Sequence, residues 1–208
     1  MMVKKNSKKN PIIILSGPSG VGKGTIERLL FDFEELNLSL SCSATTRKRR
    51  PGELDGIHYH FIDVDRFRDL MKRRKFIEFS YHLNNYYGTL NSELKKIHDK
   101  NMVPLLEIET NGVKKIINKF EKEEWNSKYN LITIFITPPS VEDLKKRIIN
   151  RGSESKQTLQ NRLKKAEIEI AEAHIFKYQV VNDTPERAAN EIKRILYREL
   201  GISDKLDN

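Results

Sequence analysis

Seven residues near the N-terminus constrain this chain more than any others. Gly17-Pro18-Ser19-Gly20-Val21-Gly22-Lys23 follows a short apolar run, residues 12–16, and opens an amphipathic segment that extends to residue 31. A buried strand, a glycine-rich turn and a helix start in that order form a Walker A phosphate loop in its proper context. The glycines let backbone N–H groups turn inward around a polyphosphate. The helix N-terminus adds the positive end of its dipole, and the lysine adds a movable cation. Gly17, Ser19, Gly20, Val21, Gly22, Lys23, Gly24 and Thr25 are therefore the expected nucleotide-phosphate site, with Lys23 acting on the transferring group. The hydroxyl residue usual directly after the lysine is replaced by Gly24, and Thr25 follows one position later. A direct hydroxyl–metal contact is thereby weakened, and Thr25 stands only as a candidate.

Beyond the loop, short aliphatic runs alternate with amphipathic segments, the pattern of an α/β fold with a parallel sheet covered on both faces. Residues 38–44, 103–109, 131–136 and 178–182 are predicted as further strands. Residues 112–120, 141–149, 158–175 and 185–200 are predicted as helices. Residues 45–100 break the rhythm with strand-like runs at 58–62 and 76–83 around a charged helix near 65–74, which suggests an inserted lobe. Pro138-Pro139 stops a strand. Ser140 with Asp143 three residues on is a capping-box variant, and Gly152, Ser153 and Ser155 loosen the segment that follows.

The charge is local. Of a formal +9, the first ten residues carry +4 and residues 47–75 carry +5, from ten bases and five acids. The remainder balances, so the chain lacks the overall basic surface of a nucleic-acid binder. One cysteine, Cys42, excludes an internal disulfide, and no metal-ligand spacing accompanies it. The apolar run near the N-terminus is too short for a signal peptide, and none approaches the roughly 20 residues that span a bilayer. A cytoplasmic protein is expected, with no membrane and no nucleic-acid partner.

The order of further motifs narrows the reading. Ser43-Ala44-Thr45-Thr46-Arg47-Lys48-Arg49-Arg50-Pro51-Gly52-Glu53 precedes Gly56-Ile57-His58-Tyr59-His60-Phe61. Then come Phe76-Ile77-Glu78, Asn85-Tyr86-Tyr87-Gly88-Thr89, Leu105-Leu106-Glu107-Ile108-Glu109, Pro138-Pro139-Ser140 through Arg147, Arg151-Gly152 and Val180-Val181-Asn182-Asp183. In this order and spacing, from residue 12 to about 196, the chain resembles the guanylate kinase family of nucleoside-monophosphate kinases. The resemblance implies transfer of the ATP γ-phosphoryl group to GMP, giving ADP and GDP, with Mg2+ carried largely by the nucleotide and water. It implies a P-loop core (11–44, 101–136 and 159–208), an inserted mixed α+β GMP-binding lobe (45–100), a helical lid (137–158) and a basic tail (1–10) outside the family pattern.

By that resemblance Glu78 reads the guanine edge, Ser43 and Thr89 supply base-reading hydroxyls, and Glu109 accepts from the guanine amino group. A carboxylate suits guanine, whose N1–H and N2–H donors lie side by side, and repels the N1 lone pair of adenine. Arg47, Arg50, Tyr59 and Tyr87 match residues that hold the GMP phosphate, for which guanidinium forks are chemically apt. Arg147, Arg151 and Arg162 match lid arginines that with Arg47 neutralise charge in the transition state. Asn182 matches an adenine contact, and Glu107 is a candidate metal contact through water. No general base is required, because the acceptor is already a phosphate anion; positioning and charge neutralisation carry such a reaction. Two other classes fit parts of the sequence: a phosphopeptide-binding module that has lost catalysis, and a nucleic-acid-binding P-loop protein. The intact Gly22-Lys23 and the lid arginines argue against the first, and the local charge against the second. Oligomeric state is left between monomer and small homo-oligomer.

Overall fold

A computed structural model describes residues 9–82, 84–150 and 156–203. Five parallel strands form the main sheet: β1 (Asn10–Ser16), β2 (Leu38–Leu40), β7 (Val103–Glu107), β8 (Tyr129–Thr137) and β9 (Tyr178–Val181), in the order β2-β7-β1-β8-β9. Strand β1 shows why it lies at the centre. Ile13 and Leu15 point to one face and Ile12 and Ile14 to the other, and all four are fully buried in two separate hydrophobic clusters. Alternate side chains of a strand point to opposite faces, so a continuous aliphatic run requires cover on both.

That cover comes from helices. α1 (Lys23–Phe31) and α8 (Pro185–Leu200) pack on the first face, with Ile26, Leu30, Ala188, Ile192 and Leu196 buried. α3 (Asn91–Asp99) and α4 (Thr110–Phe120) cover the second through Leu94, Val113 and Ile116. α8 is delimited by its own ends: the Thr184 hydroxyl accepts from Arg187 N–H, Pro185 opens the first turn, and left-handed Gly201 closes the last. α6 (Val141–Asn150) begins at the predicted box. Ser140 Oγ accepts from the Asp143 amide at 3.0 Å and donates to the Asp143 carboxylate at 2.7 Å. α7 (Lys156–Ala171) and a 3-10 turn (Ala173–Ile175) lead to β9.

A second, mixed sheet of four strands joins β3 (Ala44–Thr45), β4 (His60–Phe61), β5 (Phe76–His82) and β6 (Asn85–Leu90) in the order β4-β3-β6-β5. α2 (Val64–Lys72) packs on it through Phe67, whose ring stacks on Phe76 at 4.5 Å and on Tyr86 at 5.1 Å. The single strand predicted over 38–44 is divided between the sheets. Ser41 N–H still follows the main sheet by donating to Leu105 O, whereas Ser43 O already accepts from His60 N–H in the second. The chain crosses from one sheet to the other at Cys42.

The connection after β1 leaves towards β2, and the one after β7 leaves towards β8 on the far side of β1. The carboxyl ends of β1 and β7 thus flank a topological switch point, the crevice where ligands bind in such sheets. The phosphate loop follows β1, Glu107 ends β7 and Glu109 lies two residues beyond it.

Candidate active site

The loop between β1 and α1 is held by contacts that only glycine permits at two places. Gly17 adopts φ 149°, and a β-carbon there would lie 2.4 Å from the Ile136 carbonyl oxygen. Gly22 adopts φ 105°, and a β-carbon there would lie 2.6 Å from Asn182 Nδ2. Gly22 caps α1 without any side-chain hydrogen bond; the Thr25 and Ile26 amides donate to its carbonyl, and the Lys23 and Gly24 amides before them open the helix towards an anion. Lys23 folds back over the loop. Its Nζ donates to Gly17 O at 2.8 Å and Pro18 O at 3.4 Å, and lies 3.6 Å from Glu107 Oε1. Ser19 and Gly24 are exposed, Val21 is buried, and Thr25 is half-buried.

The other wall of the loop is Asn182, 1% exposed, at the end of β9. Its Nδ2 donates to Val21 O at 2.7 Å, while Oδ1 is buried with no protein partner. Arg147 from α6 donates to Val21 O at 3.2 Å and to Asn182 O at 2.9 Å. The guanidinium thus clasps the phosphate loop to the end of β9. Arg162 lies on the exposed face of α7, and Arg151 lies outside the described residues.

Two of the base-reading candidates, Glu78 and Thr89, meet where β5 and β6 pair. Glu78, 6% exposed, is opposite Thr89 in the register, and Thr89 donates to Glu78 Oε1 from both its amide and its hydroxyl, each at 2.9 Å. The second oxygen, Oε2, faces the start of α4, where a β-carbon on Gly112 would come within 2.8 Å. Burial pushes the Glu78 carboxyl up, and the two hydrogen bonds from Thr89 oppose that shift. Glu109 is the N-cap residue of α4, and Lys165 of α7 reaches its Oε2 at 3.1 Å. Ser43 is half-buried beside β3.

At the proposed acceptor-phosphate side, Arg47 is already oriented. Its guanidinium makes a fork with Glu53 at 2.9 and 2.7 Å and lies over the rings of Tyr59 and Phe61 at 5.4 and 5.6 Å. The Arg50 amide donates to the same Glu53 carboxylate at 2.7 Å, while the Arg50 side chain is exposed. The Arg47 pair holds the Glu53 carboxyl down to about 2. Tyr59 and Tyr87 stand edge to face with centroids 6.1 Å apart. Burial, then the charge of Glu107, raises the Tyr59 hydroxyl, which couples this corner electrostatically to the phosphate loop.

The sequence reading assigned no task to four acidic or basic residues that the fold brings here. Glu53 orients Arg47. Lys165 and Glu169 approach from α7. Glu27, one turn after Lys23, is buried and shifted up to about 7 by desolvation and by Glu107, against the pull of Lys23. Glu53 belongs to the Ser43–Glu53 motif; Glu27, Lys165 and Glu169 belong to none, and what draws them to the site is their approach to Glu107 and Glu109, distant in sequence. Among the described residues no three His, Cys, Asp or Glu side chains converge to hold a metal. Glu107 Oε1, 3.6 Å from Lys23 Nζ, is a carboxylate oxygen beside the loop whose chemistry fits a hard cation carried by a polyphosphate and water.

The family model for guanylate kinase matches residues 8–199. A guanylate kinase of Mycoplasmopsis synoviae is 59% identical over 95% of this chain and 99% of its own, and one of Oceanobacillus iheyensis is 40% identical over 92% and 88%. The crystal structure of guanylate kinase from Anaplasma phagocytophilum superposes with a TM-score of 0.69 at 31% identity, covering 92% of this chain and 86% of that one. Matched over nearly its whole length by that family model and by relatives of this identity, the chain belongs to the guanylate kinase family of ATP-dependent phosphotransferases, which convert GMP to GDP.

Proposed function

We propose that this cleft divides the family's reaction, ATP + GMP giving ADP + GDP, between two sites that meet at Lys23. The observation that carries the reading is the Glu78–Thr89 lock. It fixes one carboxylate oxygen and leaves the other against the start of α4, where Gly112 carries no side chain. A carboxylate there accepts from guanine N1–H, with Glu109 accepting from the 2-amino group and Ser43 and Thr89 completing the polar wall. Arg47, held by Glu53, and Arg50 take the GMP phosphate with Tyr59 and Tyr87. The residues of the phosphate loop, Gly17 to Thr25, hold the ATP phosphates, and the buried Oδ1 of Asn182 offers an acceptor for the adenine amino group. Arg147, Arg151 and Arg162 bring charge neutralisation from the lid side.

Mg2+ is the proposed metal, bound to the ATP phosphates and water, with Glu107 and Thr25 as the protein's donors. When bound it neutralises charge between donor and acceptor phosphates. Lys23 must leave the carbonyls of Gly17 and Pro18 to follow the transferring group, a short swing for a flexible side chain. The lobe 45–100, the lid 137–158 and the core segments are proposed as the parts that move relative to one another, since closure excludes water that would otherwise accept the phosphoryl group. Among the described residues no helix is long and apolar enough to cross a membrane. We place the enzyme in the cytoplasm, as a monomer or small homo-oligomer acting without nucleic acid.

The test is ADP release with ATP, Mg2+ and GMP, AMP, CMP or UMP as acceptor. GMP-selective turnover is expected, and absence of turnover with every acceptor overturns the reading.

A further inference from the structure

Glu109 stands within electrostatic reach of two other carboxylates, Glu78 and Glu169. Glu169, on α7, is 8% exposed, and burial raises its carboxyl, with Glu109 adding to the rise and Lys165 and Lys23 opposing it. Glu109 likewise raises Glu78, which Lys115 opposes. Lys165 stands between two of them, its Nζ 3.1 Å from Glu109 Oε2 and 3.6 Å from Glu169 Oε1. Ala166 is buried in the core and Leu159 and Leu163 pack against it, which fixes the rotation of α7. Residues 165 and 169, four apart, then share the helix face turned to Glu109. The Glu109 backbone is fixed as well, because its carbonyl accepts from the Gly112 and Val113 amides at the start of α4. Only its side chain can adjust, and a neighbour of like charge would turn it away.

We infer that Lys165 is a positioning residue for acceptor specificity. It holds the Glu109 carboxylate against the repulsion of Glu78 and Glu169, in the direction from which it accepts from the guanine 2-amino group. Because Lys165 belongs to α7, the helix that leads out of the expected lid, base reading is tied to the placement of that helix. The inference rests on the proposed role of Glu109.

Inosine monophosphate lacks only the 2-amino group, so the ratio of kcat/KM for GMP to that for inosine monophosphate isolates this contact. Lys165→Met is expected to lower the ratio about tenfold, the scale of one charge-assisted hydrogen bond, mainly through KM for GMP. Lys165→Arg restores most of it. Lys165→Met combined with Glu109→Gln discriminates no worse than Glu109→Gln alone, since the two act as a unit. Should Lys165→Met melt early, Lys165→Gln serves as the second variant. An unchanged ratio in a folded Lys165 variant, or equal losses for both acceptors, overturns the inference while Glu109→Gln still lowers the ratio. If Glu109→Gln leaves the ratio unchanged, the reading of Glu109 fails, and the inference with it.

Discussion

Thr89 donates twice to one oxygen of Glu78, from its amide and from its hydroxyl, each at 2.9 Å. The pair spans β5 and β6, so the hairpin that builds the second sheet also aims the carboxylate. Burial of an acid is unfavourable to its charged form, and these two donors offset part of that.

Glu78→Gln keeps the shape but replaces an acceptor oxygen by an N–H donor that meets guanine N1–H. kcat/KM for GMP is expected to fall about a hundredfold. ATP affinity, measured by calorimetry without acceptor, is expected to stay within about twofold. A matching loss of ATP affinity would contradict the assignment of Glu78 to the base.

Arg47 and Glu53 make a second prepared pair. Because the folded carboxyl is held near 2, below its ordinary 4.5, the stabilisation it provides is present above about pH 4.5. It is lost as pH falls through about 2. NMR titration should show the Glu53 carboxyl protonating well below the exposed glutamates. Glu53→Gln abolishes the fork and should raise KM for GMP about tenfold with a smaller change in kcat. An unchanged KM would show that the phosphate orients Arg47 by itself.

The parts of this arrangement differ in how far sequence reveals them. β1 and its loop are legible because a doubly buried strand and a glycine turn are local patterns. α8 falls at 185–200 as predicted because Thr184, Pro185 and Gly201 mark its ends. The crossing at Cys42 is not legible, since both halves of 38–44 look like strand and only pairing partners separate them. α5 (Glu123–Lys128) buries no residue and takes shape around Trp125, which lies against Tyr129 at 5.5 Å and Phe120 at 5.7 Å. Candidate site residues could be named from motif order. Their partners could not: Lys165 meets Glu109 from 56 residues away, and Arg147 meets Val21 from 126.

The clasp of Arg147 on Val21 O and Asn182 O ties the phosphate loop to the end of β9. Gly22→Ala would force a side chain into a left-handed backbone and to within 2.6 Å of Asn182 Nδ2. ATP affinity is expected to fall more than tenfold, because the loop must rotate away from Asn182. In Gly24→Ala a β-carbon meets no protein atom within 4 Å, so the loop keeps its conformation and the loss of ATP affinity should be smaller than in Gly22→Ala. Equal losses in the two variants would show that the loop's conformation is not the determinant.

Glu27 lies one helical turn beyond Lys23, 8% exposed, with Oε1 buried and unpartnered. Its carboxyl is raised from 4.5 to about 7, first by desolvation and then by Glu107. In the nucleotide-free protein the folded chain therefore binds more protons than the unfolded chain between those values. The contribution of Glu27 to stability must fall as pH rises from about 4.5 to about 7, and level off above. Glu27→Gln removes the charge while keeping the shape, so the variant should match the wild type near pH 4.5. At pH 8 it should exceed it by up to about 3 kcal/mol. Urea unfolding at the two pH values reads this directly. A variant less stable than the wild type at pH 8 would mean that the Glu27 charge is compensated in the folded state, by Lys23 above all.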